Sequence, residues 1–231
     1  LCTQRQFPAT SVNITSAVIS GLIPGLVMLF AANAWTMTAG DAVRSALTWT
    51  LGLNPALAGL AFGLCMWPLI LKGWYHAVLL PLILIEMEEY GNSFIGALDM
   101  AGLVMASAGI LLAQIAFPLQ PADRISARKP LWLNIGFGTF IEASYVYMAR
   151  SKLVYGGAIA ASGLAGAVIG SLGLKSTAYV PFFLAMLFSN DAWGFLWAML
   201  TALLFAFTVG IGANWAMRRK RKPGLKESSG E

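Results

Sequence analysis

Charge is what this chain has least of: Asp, Glu, Lys and Arg make up 11% of its 231 residues, against about a quarter in soluble domains. That scarcity excludes a water-facing surface of ordinary polarity. Histidine occurs once, at His76, and cysteine twice, at Cys2 and Cys65, so there is neither a zinc spacing nor a redox pair. Cys65, inside a predicted span, reads as a small core hydrophobe. Phosphate-binding loops, Ser/His/Asp constellations and nucleic-acid modules are missing too, and no cofactor, metal or nucleic-acid partner is expected. The polar opening Leu1-Cys2-Thr3-Gln4 has neither an initiator methionine nor signal-peptide character, which leads us to expect a fragment or a processed product.

What fills the chain is apolar. Hydrophobic residues reach 58%, with 24 glycines and a mean hydropathy of +0.72. Charge-free windows separate Arg5 from Asp41, Arg44 from Lys72, Asp99 from Asp123 and Asp191 from Arg218, each at or above the ~20 residues that cross hydrocarbon. We expect an all-α integral membrane protein of about five transmembrane helices, near 16–37, 54–71, 93–117, 153–173 and 192–217. Two further stretches, 74–90 and 131–148, are short and interrupted and carry His76, Glu86 and Glu142. They are expected to be re-entrant hairpins, because broken backbone at membrane depth survives only where protein buries it or it lines a wet cavity.

Lysine and arginine set the expected orientation. The run Arg218-Arg219-Lys220-Arg221-Lys222 places the carboxy-terminus in the cytoplasm, beside anionic lipid headgroups. Counting back through two spans returns Arg150 and Lys152 to that side, and Arg124, Arg128 and Lys129 join them only if 131–148 re-enters. The alternative, that 131–148 simply crosses, puts one cluster outside. Asp41 to Leu53 has the spacing of an interfacial or connector helix. Ser162, Gly166 and Gly170, at intervals of four, allow a neighbouring helix to approach closely. Trp35, Trp74, Trp132, Trp193 and Trp215 fall near span ends, as an interfacial belt does. Asn13-Ile14-Thr15 fits a glycosylation acceptor, a pattern common by chance. The chain divides into an amino-terminal helix and connector (1–53), a transport domain (54–217) and a basic tail (218–231).

Ionisable groups within membrane segments are costly and mark functional sites by default. His76, Glu86, Asp99 and Glu142 qualify. A neutral imidazole offers one donor and one acceptor, and a carboxylate accepts several hydrogen bonds. Together they suit a polyol, for which Trp74, Tyr75, Phe137, Phe140 and Tyr145 supply an apolar wall. A histidine bonded to a backbone carbonyl and a glutamate capping backbone N–H groups are the structural alternatives.

These residues carry a resemblance. Gly73-Trp74-Tyr75-His76-Ala77-Val78-Leu79-Leu80-Pro81, followed by Glu86-Met87-Glu88-Glu89-Tyr90-Gly91, resembles the histidine segment of enzyme IIC, the permease subunit of bacterial phosphoenolpyruvate-dependent sugar phosphotransferase systems of the glucose/β-glucoside/sucrose superfamily. Gly138-Thr139-Phe140-Ile141-Glu142-Ala143 is similar to that family's Gly-Ile-Thr-Glu-Pro motif, with Phe140-Ile141 before the glutamate and Ala143 in place of proline. The glycines from Gly156 to Gly170 resemble the helix that follows it. The resemblance runs from about Asn54 to Trp215 and covers the carboxy-terminal, sugar-binding part of such permeases.

It implies an inward-facing sugar site between two hairpins in the bacterial cytoplasmic membrane. His76 and Glu142 are the positions that match the family's sugar contacts, and Glu142 would hold or deprotonate the attacking hydroxyl. From the residues themselves we add Trp74, Tyr75, Glu86 and Phe140 to the expected binding set. Phosphate would come from a phosphocysteine on a IIB partner, supplied by IIA, so the chain is a transport subunit and no enzyme by itself. A complete permease would be a homodimer. Two other readings stand beside it: an ion- or proton-coupled secondary transporter, and a non-transporting piece of a split or truncated permease.

Overall fold

The computed structural model describes residues 9–27, 30, 38, 41–42, 45–46, 49–50 and 52–221, with side chains from residue 16 to 219. The chain divides into two units, Leu1–Val43 and Arg44–Glu231. In the first, helix α1 covers Ala9–Val27, and its described side chains are exposed. Asn13 to Thr15 lie within this helix. The rest of the expected first span, Cys2 and Trp35 fall outside the described residues, and the 41–53 connector is described only in part.

The second unit is all helix. Asn54 caps α2 (Pro55–Leu71), its side chain accepting from Leu57 N at 3.1 Å, with Pro55 at the first helical position, where a missing N–H costs nothing. At Gly73 (φ 79°) the chain turns, and the helical segment Tyr75–Tyr90 leaves at 114° to α2. The bend therefore lies ahead of the 74–90 stretch, which is not by itself the hairpin expected of it but one arm of a first hairpin whose other arm is α2. Its first turn, Tyr75–Leu79, is a π-helix in which Leu80 N donates to Tyr75 O. Pro81 accounts for that width, because its ring clashes with the carbonyl four residues back and it has no N–H to give. Helix α3 (Leu80–Tyr90) completes the arm.

Helix α4 (Phe94–Ala116) is the centre of the unit and is almost wholly enclosed. Ser93 caps it, accepting from Gly96 N at 3.1 Å. Between Asp99 and Met105 it too widens to a π-helix. Two side chains enter there: Trp67 Nε1 donates to Gly102 O at 3.1 Å, and Asn134 Nδ2 donates to Val104 O at 2.7 Å. Donors inserted into the carbonyl ladder are a recognised cause of such wide turns.

The second hairpin is α5 (Pro121–Phe137) and α6 (Tyr145–Arg150). Its tip is turned by Gly138 (φ 66°) and Phe140 (φ 69°), followed by a short 3₁₀ turn, Ile141–Ser144. Its feet meet, since Arg150 Nη1 lies 2.9 Å from Asp123 Oδ2. The segment thus ends beside the place where it began. Three basic residues from different elements gather at the turn between α4 and α5. Arg124 donates to Ile115 O, Arg218 to Pro118 O, and Arg150 pairs with Asp123. Arg124, Arg150 and Arg218, one from each cluster, share one end of the second unit.

Helices α7 (Lys152–Leu172) and α9 (Ala192–Arg221) finish the packing, with the short α8 (Phe182–Leu187) between them. Where α2 crosses α7, a Cβ on Gly59 would fall 1.9 Å from Gly166 O and one on Gly170 1.9 Å from Pro55 O. This is the close approach expected of Ser162, Gly166 and Gly170, and only glycine permits it. Helices α4, α7 and α9 are long and apolar enough to cross a membrane, and the bent pair of α2 with 75–90 adds a fourth if counted as one span. The described residues thus form an all-α membrane protein.

Cys65 departs from expectation. It is exposed, because the buried face of α2 carries Gly59, Gly63, Met66, Trp67 and Ile70, and Cys65 lies off that stripe. With Pro68, Leu69, Lys72 and Trp74 it lines an outer groove.

Candidate functional site

Three elements converge on one cleft. The π turn of the first hairpin brings Tyr75 and His76, the wide turn of α4 brings Asp99 and Val104, and the second hairpin's tip brings Gly138, Thr139, Ile141 and Glu142. A fourth element, the loop after α7, adds Tyr179. The cavity holds about 40 Å³, room for water rather than a sugar, since ligand pockets enclose roughly 300 Å³ or more. In this conformation the walls must part to admit one.

The Tyr179 loop is fixed at several points. Ser93 and Ser176 exchange backbone hydrogen bonds of 2.9 and 3.0 Å. Asn190 accepts from Lys175 N at 2.7 Å and donates to Gly173 O at 3.0 Å, and Ser176 Oγ donates to Ala185 O at 2.6 Å. The loop's other face supports the hairpin tip, for a Cβ on Gly138 would meet Val180 O at 1.9 Å. Glycine at 138 therefore serves twice, in its positive φ and in its missing side chain.

Inside the cleft Tyr75 Oη donates to Asp99 Oδ1 at 2.6 Å and lies 2.8 Å from Tyr179 Oη. His76 packs edge-on to Tyr75, ring centroids 5.3 Å apart. His76 and Glu142 are exposed to the cleft, and neither side chain takes a hydrogen bond among the described residues. The carbonyl-bound histidine and the capping glutamate do not occur. Both side chains are available to a ligand hydroxyl.

Of the residues expected to bind, His76, Tyr75 and Glu142 meet here. The others lie elsewhere. Trp74, next to the Gly73 turn, is 63% exposed and lines the outer groove. Glu86, almost three turns further along the arm, accepts a 2.5 Å hydrogen bond from Ser93 Oγ. Phe140 is half-exposed at the hairpin tip and does not line the cleft. Asp99 and Tyr179 enter in their place. As an intramembrane carboxylate Asp99 carried a signal, whereas Tyr179, 104 positions from Tyr75, carried none. Among the described residues no three His, Cys, Asp or Glu side chains gather as metal ligands.

The chain is similar to the sucrose-specific EIIBC component of the PTS system of Staphylococcus xylosus, with 23% identity over 203 residues. The match covers 82% of this chain and 41% of that protein, so the chain spans less than half the length of the curated relative it matches. No protein-family model matches the chain. Nor does any solved structure.

Proposed function

We propose that this chain is the sugar-binding membrane part of a bacterial phosphotransferase permease, binding a sugar between its two hairpins for phosphorylation by a IIB partner. The observation that carries the reading is the meeting of His76 and Glu142, which come from different hairpins and lie 66 positions apart in sequence, in one cleft with no competing hydrogen bonds. The similarity to a sucrose-specific component supports sucrose as the first sugar to test. His76 would exchange hydrogen bonds with a hydroxyl pair. Glu142 would take the proton of the attacking hydroxyl as its oxygen forms a bond to phosphorus and the phosphorus–sulfur bond of the partner's phosphocysteine breaks. Residues 54–217 would be the transport domain, 218–231 a basic cytoplasmic tail, and a complete permease a homodimer fed by IIB and IIA.

The test is sucrose phosphorylation in membrane vesicles supplied with phosphoenolpyruvate and the soluble components. Glu142→Gln should lower turnover by about 10²–10⁴-fold, the usual worth of a positioned base, and His76→Ala should abolish saturable sugar binding. Unchanged sugar phosphate formation in either variant removes the role given to that residue. The buried carboxylate of Asp99 favours a second reading, ion- or proton-coupled transport. Uptake driven by a proton gradient without phosphoenolpyruvate selects it over the first. Sugar binding without phosphorylation or uptake would point to a piece of a split or truncated permease.

A further inference from the structure

Asp99, Tyr75 and Tyr179 form a chain of hydrogen bonds running from the interior of α4 to the cleft. Its two inner members are buried, Asp99 at 4% and Tyr75 at 1% exposure, whereas Tyr179 is 39% exposed. Only the last member is open to a ligand. A phenol has one proton to donate, and Tyr75 gives its proton to the carboxylate. Its 2.8 Å contact with Tyr179 must then be made the other way, with Tyr179 donating to the Tyr75 oxygen. Tyr179 has thereby used its proton, and what its oxygen offers the cleft is lone pairs.

We infer that Asp99 is a positioning residue for ligand binding, fixing through Tyr75 the direction of a relay that makes Tyr179 a hydrogen-bond acceptor for a sugar hydroxyl. The inference rests on the sugar-site reading above and adds a chemical requirement to it. The ligand must present a donor to Tyr179, so an ether or fluorine at that position is rejected. Two arrangements support the geometry. Tyr75 is held by its place in the π turn, with His76 edge-on to its ring, and the Tyr179 loop is tied to Ser93 and Asn190. The other titratable groups facing the relay are His76 and Glu142, across the same cleft.

The experiment is a double-mutant cycle on the purified full chain in detergent, with sucrose and glucose as probes. Asp99→Leu and Tyr179→Phe should each weaken sugar binding by about tenfold, the worth of one hydrogen bond to a polar partner. The double variant should also lose about tenfold, because Asp99 acts only through Tyr179. A loss near a hundredfold, the product of the two, overturns the relay and leaves Asp99 a structural group. Should Asp99→Leu not fold, Asp99→Ala, which likewise removes the acceptor of the Tyr75 proton, takes its place in the cycle. A measurement without sugar runs in parallel: the Raman doublet of tyrosine, which reports whether a phenol donates or accepts, isolated as the wild-type minus Tyr179→Phe difference. It should change when Asp99 is replaced, and an unchanged doublet overturns the inference. If wild type binds no sugar, the sugar-site reading fails and takes this one with it. If wild type binds and the losses multiply, this inference alone fails.

Discussion

The first hairpin turns at Gly73, where a Cβ would meet nothing within 4 Å, whereas the second turns at Gly138, where a Cβ would fall on Val180 O. Their feet differ in the opposite sense. The first is locked along one arm, with Gly59 and Gly63 of α2 pressed against the backbone of α7, and its other arm folds away after an open turn. The second is held at both ends, by the Asp123–Arg150 pair at its feet and by Val180 at its tip. The cleft thus has one wall supported by backbone at its tip and an ion pair at its feet, and another whose free arm, 75–90, is tied by side-chain hydrogen bonds, Tyr75 to Asp99 and Ser93 to Glu86.

That contrast can be broken at the helix crossing first. Gly59→Leu should cost at least about 3 kcal/mol and leave little folded protein in detergent, since the added side chain meets backbone and the helices must separate. A thermal melt like that of wild type would show that α2 is not locked on α7. Gly138→Ala comes next, at about 2 kcal/mol, combining a left-handed φ with the approach to Val180 O. Its sugar affinity should fall as well, because Thr139 and Glu142 sit on the same tip.

Removing the pair at the feet, by Asp123→Asn or Arg150→Gln, should cost about 1 kcal/mol, discounted because the Arg150 side chain is 32% exposed. Measured as a double-mutant cycle by melting, zero coupling means the feet are held by packing alone. The smallest effect should be Gly73→Ala, about 1 kcal/mol or less, since only the positive φ opposes it. Equal losses at Gly73 and Gly138 would erase the distinction between an open and a supported turn.

Hydropathy located helices α4, α7 and α9 to within a few residues, because span length and charge-free windows are local properties. The small-residue spacing of α7 also reached the structure intact, although its partner glycines on α2, Gly59 and Gly63, went unread. The second hairpin was legible in part: the expected 131–148 falls within Pro121–Arg150, whose helix begins ten residues earlier and whose ends meet at the Asp123–Arg150 pair. Less of the site could be read. His76, Tyr75 and Glu142 were found by their polarity in apolar surroundings, whereas Trp74 and Phe140 were chosen as neighbours in sequence, and a tight turn sends neighbours to different faces. Cys65 misled for the same reason, as its position within a span says nothing of its face. The meeting of Asp99 with Tyr179 depends on a loop folding back across the bundle, and no local pattern encodes that.

Trp67 gives the molecule a reporter of its own. Its ring is fully buried, its N–H is held by Gly102 O, and it stands edge-on to Tyr145 at 6.3 Å between centroids. The indole therefore touches the first hairpin, the central helix and the second hairpin at once. Every other described tryptophan is 48% exposed or more, so among them Trp67 alone is enclosed by protein. A ligand that moves either hairpin should change the emission difference between wild type and Trp67→Phe without any label being attached.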